Sequence, residues 1–197
     1  MAFIGMRHPV AATFSSHTPG NEPTYTGGKV IGHAIAGNLT INRSDNPLYG
    51  DDVEIENDNG ITSMALELGL DDLLEDDRVM LLGTTKKTSG SGQTVADEYL
   101  DGDGAAPYVG VGYIRVRRKA GVTSFQAIWM YKVQFSENAE NSATKGESIE
   151  WQTPTITGRA AALKIDSYNQ NYFRKRRIFA NESDAISWLH GIANVPT

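Results

Sequence analysis

Four histidines, His8, His17, His33 and His190, are the side chains best suited to hold a metal or carry a proton near neutral pH, and they share no metal-ligand spacing. His33 sits among isoleucines in a strand-like run and reads as a structural histidine. Asp101-Gly102-Asp103-Gly104 resembles the start of a calcium loop. No glutamate follows in the register that would close an EF-hand, so calcium is not expected. Thr26-Gly27-Gly28-Lys29 lacks the first glycine of a phosphate-binding loop and precedes a strand rather than a helix. Asp71, Asp72, Asp76 and Asp77 are read as acids at a helix N-terminus, where the helix dipole favours them, rather than as metal ligands. Serine and threonine are plentiful, but none is matched with a histidine and an acid. Cysteine is absent, which excludes disulfides and thiolate sites. The residues therefore predict a non-enzymatic protein that needs no cofactor.

The elements that carry these residues are mostly strands. From Phe125 to Phe135 apolar side chains fall on alternate positions: Phe125, Ala127, Trp129, Tyr131, Val133 and Phe135. Period two is the spacing of a strand with one face on a core. A second strand, Tyr108 to Arg117, precedes it through the turn Lys119-Ala120-Gly121, and a third, Ser148 to Gly158, follows a polar loop at Glu137 to Gly146. This meander is the largest buried surface the chain offers. Upstream, Lys29 to Arg43 reads as one long strand in which Gly32 and Gly37 mark bulges or close backbone approaches. Ser44 to Asn59 reads as a polar loop with a short strand at Val53 to Glu56, and Ile61 to Leu70 as a further strand. The pattern from Leu70 to Gly83 predicts a short helix capped by Gly83. Thr84 to Ala105 reads as a Gly/Ser/Asp-rich loop. Ala160 to Ile165 is a possible strand, Asn169 to Arg177 a polar basic segment. Asn181-Glu182-Ser183-Asp184 opens a C-terminal amphipathic helix. Residues 1–28 hold few apolar groups after Phe14 and are read as an extended N-terminal arm that docks on a neighbour. Residues 29–197 are read as one β-rich domain.

At 197 residues, with 40% hydrophobic and 21% charged side chains, the chain suits a globular domain. It has no apolar run long enough to span a membrane and no pattern of a signal peptide. Sequons at Asn38, Asn42 and Asn181 are read as chance. The net charge of -6 conceals segregation: the stretch from Asp45 to Asp77 contains no lysine or arginine and holds twelve of the 24 carboxylates. Basic residues cluster at Arg115 to Lys119 and Arg174 to Arg177. Two readings apply, solvated faces and mutually complementary subunit surfaces or a nucleic-acid patch, and the acidic total argues against tight nucleic-acid binding.

Several segments, in order and spacing, closely resemble one family. They are Gly28-Lys29-Val30-Ile31-Gly32, Asn46-Pro47-Leu48-Tyr49-Gly50-Asp51-Asp52, Val79-Met80-Leu81-Leu82-Gly83 and Tyr108-Val109-Gly110-Val111-Gly112-Tyr113. Trp129 to Ser136, Thr144-Lys145-Gly146-Glu147-Ser148-Ile149, Gln152 to Gly158 and Asp184 to Leu189 complete the set. The family is the major tail protein, or tail tube protein, of long-tailed non-contractile bacteriophages, of the phi13-like type. The resemblance spans about residues 28 to 190, and the segment Thr84 to Ala105 matches none of its motifs. It implies a mainly β fold of β-sandwich or barrel type, with a short flanking helix, a C-terminal helix, long loops and an N-terminal arm. It further implies subunits that form stacked, hexameric rings. Such a tube encloses the tape measure protein and conducts double-stranded DNA at ejection. The implied partners are the chain itself, the tape measure protein, the tail terminator and distal tail or baseplate proteins, with no membrane. The implied location is the virion tail, after synthesis in the bacterial cytoplasm. A competing expectation is a virion-associated β-sandwich module that binds carbohydrate or a receptor.

For a tube subunit, Leu48, Tyr49, Asp51, Asp52, Lys145 and Glu147 are the expected contact residues between subunits or rings. Basic partners are expected at Arg115 to Lys119 or Arg174 to Arg177. A lumen that passes DNA without retaining it should present carboxylates, because lysine and arginine bind phosphates by releasing counterions. Glu54, Glu56 and Glu67 are the lumen-facing candidates.

Overall fold

The computed structural model describes residues 2–89, 96–137, 139–140, 144, 152–168 and 170–196. The chain is mainly β, as the alternating patterns predict. In chain order the strands are β1 Ala2–Ser16, β2 Thr24–Val30, β3 Ala34–Arg43, β4 Asn46–Gly50, β5 Val53–Asp58 and β6 Ile61–Leu70. Helix α1, Glu75–Leu82, is followed by β7 Thr85–Ser89, β8 Ala96–Leu100, β9 Tyr108–Lys119 and β10 Val122–Glu137. Then come β11 Thr155–Ala160, β12 Arg174–Phe179 and α2 Glu182–Ala193. One large antiparallel sheet runs β2-β1-β9-β10-β11-β6-β3, with β12 pairing the first half of β10. The sheet curls until Met6 of β1 lies against Gly37 of β3, so the sheet approaches a barrel without closing.

Each face of this sheet carries a core. Inside the curl lie Leu66, Leu68, Val109, Val111, Ile128, Met130, Val133, Phe135 and Ile156, with Leu81 of α1. On the outer face Val10, Ala12, Tyr25, Ile114, Trp129 and Tyr131 are covered by Ala185, Leu189 and Ala193 of α2. The single face expected for Phe125 to Phe135 is therefore split. Between Met130 and Val133 the register of β10 advances by one residue more than its partner β9, a β-bulge. Beyond it the parity reverses, so Val133 and Phe135 join Ile128 and Met130 instead of Trp129 and Tyr131.

The Val-Gly-Val-Gly run of β9 is explained by that outer core. A Cβ on Gly112 would stand 2.5 Å from Cε3 of Trp129, and one on Gly110 would stand 2.5 Å from its Cζ2. Only hydrogen at both positions lets the indole lie flat on the sheet. The Tyr25 hydroxyl then donates to the Tyr131 carbonyl at 2.7 Å, and burial pushes its pKa far up.

Residues 1–28 are not a free arm. β1 pairs along β9 and with β2, and Val10, Ala11 and Ala12 are fully buried. Small alanines and one tyrosine fill the space that larger side chains would otherwise signal. A bulge at His8, with φ 53°, and Pro9 shifts the register between Arg7 and Val10. The stretch Lys29 to Arg43 is two strands, not one. Gly32 takes φ 48° and breaks it, while the Ile31 amide donates to the Pro9 carbonyl. Gly37 is the expected close approach. Ser44 to Asn59 is the hairpin β4–β5, and the supposed loop after α1 is the hairpin β7–β8. Arg174–Phe179, read only as a basic segment, is a strand, whereas Ala160 to Ile165 contributes the end of β11 and one bridge, Leu163 to Tyr172. Of the strand expected from Ser148, residues 148–151 lie outside the described residues. α1 begins at Glu75, so Asp71 and Asp72 precede it. Gly83 caps it at φ 83°, as expected, and the Ala120-Gly121 turn has both residues at positive φ.

Candidate assembly surfaces

Among the described residues no three His, Asp or Glu side chains converge as a metal site. Asp71, Asp76 and Asp77 hold elements together. Asp71 accepts from the His33 backbone amide at 2.6 Å and from its Nδ1 at 2.8 Å, tying the β2–β3 turn to the segment before α1. These bonds hold the Asp71 carboxyl below the usual carboxylate range. His33 itself is exposed in a turn, not packed mid-strand. Asp77 is buried and pairs with Nζ of Lys29 at 2.6 Å, and Asp76 receives Lys86 at 3.0 Å. Arg78 on α1 is clasped by Glu137 of β10. Asp101 accepts from the Thr84 hydroxyl at 2.9 Å.

What stands out is the β3–β6 unit. These two strands pair from Ala34/Leu70 to Arg43/Ile61, and beyond Ser44 and Gly60 the same two chain segments continue as β4 and β5. The result is one long ribbon. Its base is part of the sheet, and among the described residues its end pairs only with itself. Asp51 and Asp52 form the tip at φ 50° and 62°, the conformation of a tight two-residue hairpin turn that Asp tolerates. Four large apolar side chains on this end face solvent: Leu48 at 59%, Tyr49 at 62%, Val53 at 65% and Ile55 at 68%. An isolated two-stranded ribbon has no core to hold it, so such a surface is expected to be completed by contact.

The sequence-predicted residues fall as follows. Leu48, Tyr49, Asp51 and Asp52 come together on the ribbon end. Glu54 and Glu56 share that end, opposite Tyr49 and Leu48 respectively, so the contact and lumen candidates there occupy one element. Glu67 stands apart, exposed on β6 opposite Asn38 and Thr157, with the Asn38 amide donating to it at 3.3 Å. Lys145 and Glu147 lie outside the described residues. The residues missed from sequence are Val53 and Ile55, hidden because a hydrophobic at alternate positions in an acidic run reads as an ordinary half-buried strand.

The basic clusters divide by face. Lys175 reaches Glu22 at 2.6 Å and lies over the rings of Tyr131 and Trp188 on the α2 side. Arg174 and Arg176 lie opposite Met130 and Ile128, on the face inside the curl, as does Arg115 opposite Gln126. Arg115 also caps the Phe3 ring, its guanidinium carbon 3.5 Å from the centroid.

No protein-family model and no curated protein matches this chain. Among the described residues no helix is long and apolar enough to cross a membrane.

Proposed function

We propose that the protein is a structural, non-catalytic subunit that polymerises into a tube, the role of a tail tube protein in a long-tailed bacteriophage virion. The observation that carries this reading is the β4–β5 ribbon end, which offers four exposed apolar side chains and no core of its own. A strongly curled sheet with β2, β3 and β12 at its margins supports the same reading, because open edges are completed when neighbours close a larger barrel. The tube would enclose a tape measure protein and pass double-stranded DNA, with terminator and baseplate proteins at its ends. The subunit would be made in the bacterial cytoplasm and end in the virion tail.

Electron microscopy and light scattering across a concentration series test this. Tubes of even bore, in stacked rings that grow with concentration and on seeding, are expected. Leu48→Ser with Tyr49→Ser should leave the circular dichroism of the chain intact and block growth. A species that stays monomeric at high concentration with seeds present would refute the reading, and a discrete oligomer without filaments would favour a receptor-binding module.

A further inference from the structure

The curl of the sheet leaves a cleft of about 350 Å³ between β3 and the β9/β12 side, lined by Leu39, Ile41, Tyr113, Arg115 and Arg174. Its chemistry is unbalanced. Arg115, Arg117, Arg174 and Arg176 share this face, and among the described residues none of the four has an ion-pair partner. Arg174 is half-buried, and burial together with the adjacent Arg176 and Arg115 lowers its pKa. A guanidinium cluster that is partly desolvated and lacks a carboxylate is a receptor for one.

The same chain carries a complementary surface that it does not use. From Ser44 to Gly60 there is no lysine or arginine, and Asp45, Asp51, Asp52, Glu54, Glu56 and Asp58 are all exposed. Their ribbon adds Leu48, Tyr49, Val53 and Ile55, and the cleft adds Leu39 and the exposed Ile41. Acid faces base and apolar faces apolar. Among the described residues the β4–β5 end makes no appreciable contact with the other elements of its own chain. We propose, resting on the self-assembly reading above, that the arginine cleft of one copy receives the acidic β4–β5 tip of a second copy. Such a contact is head-to-tail, one surface meeting a different one, and so generates open or ring-closed stacks rather than an isolated dimer.

The test uses full-length chains in sedimentation and light scattering at low and moderate salt. The cleft variant is Arg174→Glu with Arg176→Glu. The tip variant is Glu54→Lys with Glu56→Lys, both on strand positions where no turn geometry is disturbed. Each is expected to weaken self-association by about tenfold or more, most at low salt. The chain carrying all four substitutions is expected to regain most of the loss. If circular dichroism shows that the cleft variant does not fold, Arg176→Glu alone, at an exposed position, carries the same expectation, with Arg176→Glu plus Glu54→Lys as its rescue. Wild-type tubes with no effect of either variant would overturn the docking while leaving the tube intact. Loss in both variants without rescue in the combined chain would also overturn it, since the two surfaces then do not meet. Duplex DNA retention that the cleft variant abolishes while self-association is unchanged would reassign the cleft to nucleic acid. A wild-type chain that never associates would sink both readings.

Discussion

Gly112 is the position where one added methyl group should reach furthest. Its ideal Cβ falls 2.5 Å from Cε3 of Trp129, 2.7 Å from Cδ2 of Leu189 and 2.9 Å from the carbonyl oxygen of Ile128. The first contact is with a fully buried indole and the last with backbone in the paired strand, so neither can step aside cheaply. Gly112→Ala must push Trp129 off the sheet or lift α2, which carries Leu189. Overpacking of this kind costs about 1–3 kcal/mol. The usual gain from replacing a strand glycine by alanine, about 0.5–1 kcal/mol, offsets part of it. A net loss of about 1.5 kcal/mol lowers the melting temperature of a chain this size by roughly 3–6 °C. Gly5→Ala is the matched control, since nothing lies within 4 Å of its Cβ, and it should be neutral or slightly stabilising. Thermal unfolding followed by far-UV circular dichroism measures both, and the near-UV signal of Trp129 should change only for Gly112→Ala. If the two variants melt within about 1 °C of each other, the account of the Val-Gly-Val-Gly run as a seat for the indole is wrong.

Further expectations concern single contacts. Lys29→Met should cost about 3 kcal/mol by leaving the Asp77 carboxylate buried without its cation, and Lys29→Met with Asp77→Leu should recover most of that; equal melting of the two would show that the pair is not what holds α1. His8 and His190 meet Nε2 to Nε2 at 2.8 Å, and burial, then the His190 charge, hold His8 below its ordinary 6.5 against the opposing pull of Glu182, with Arg7 bound to that glutamate nearby. The unfolded chain therefore binds protons more readily, so stability is complete above about pH 6.5 and falls as pH drops below it. His190→Gln should flatten that slope in denaturant titrations between about pH 5 and 7, and an unchanged slope would remove the pair as its source. Glu67→Lys, if Glu67 lines a lumen, should leave tube growth intact and slow DNA ejection most at low salt, and unchanged ejection from particles shown to carry the variant would place Glu67 elsewhere.

Much of the fold was legible because its signals are local. Alternating side chains specify strands, Gly83 specifies a helix end, and Ala120-Gly121 specifies a tight turn, each from a few neighbouring residues. The segment from Ser44 to Asn59 was legible only in part: its short strand at Val53 was read, but not the tip at Asp51-Asp52 or the pairing that makes the whole segment a hairpin. What the tertiary structure alone decided depends on partners distant in sequence. The phase of β10 reverses at a bulge defined by its register against β9, so no reading of Phe125 to Phe135 in isolation can place Val133 and Phe135. Residues 1–28 looked unpacked because Val10, Ala11 and Ala12 are small, and small is the right size only where β9 and β2 close around them. The two basic clusters look alike as strings. Only the antiparallel pairing of β12 with β10 puts Lys175 on the α2 side with Glu22 and leaves Arg174 and Arg176 inside the curl without a carboxylate partner among the described residues, because strand parity assigns neighbouring side chains to opposite faces and the fold alone supplies what each face meets.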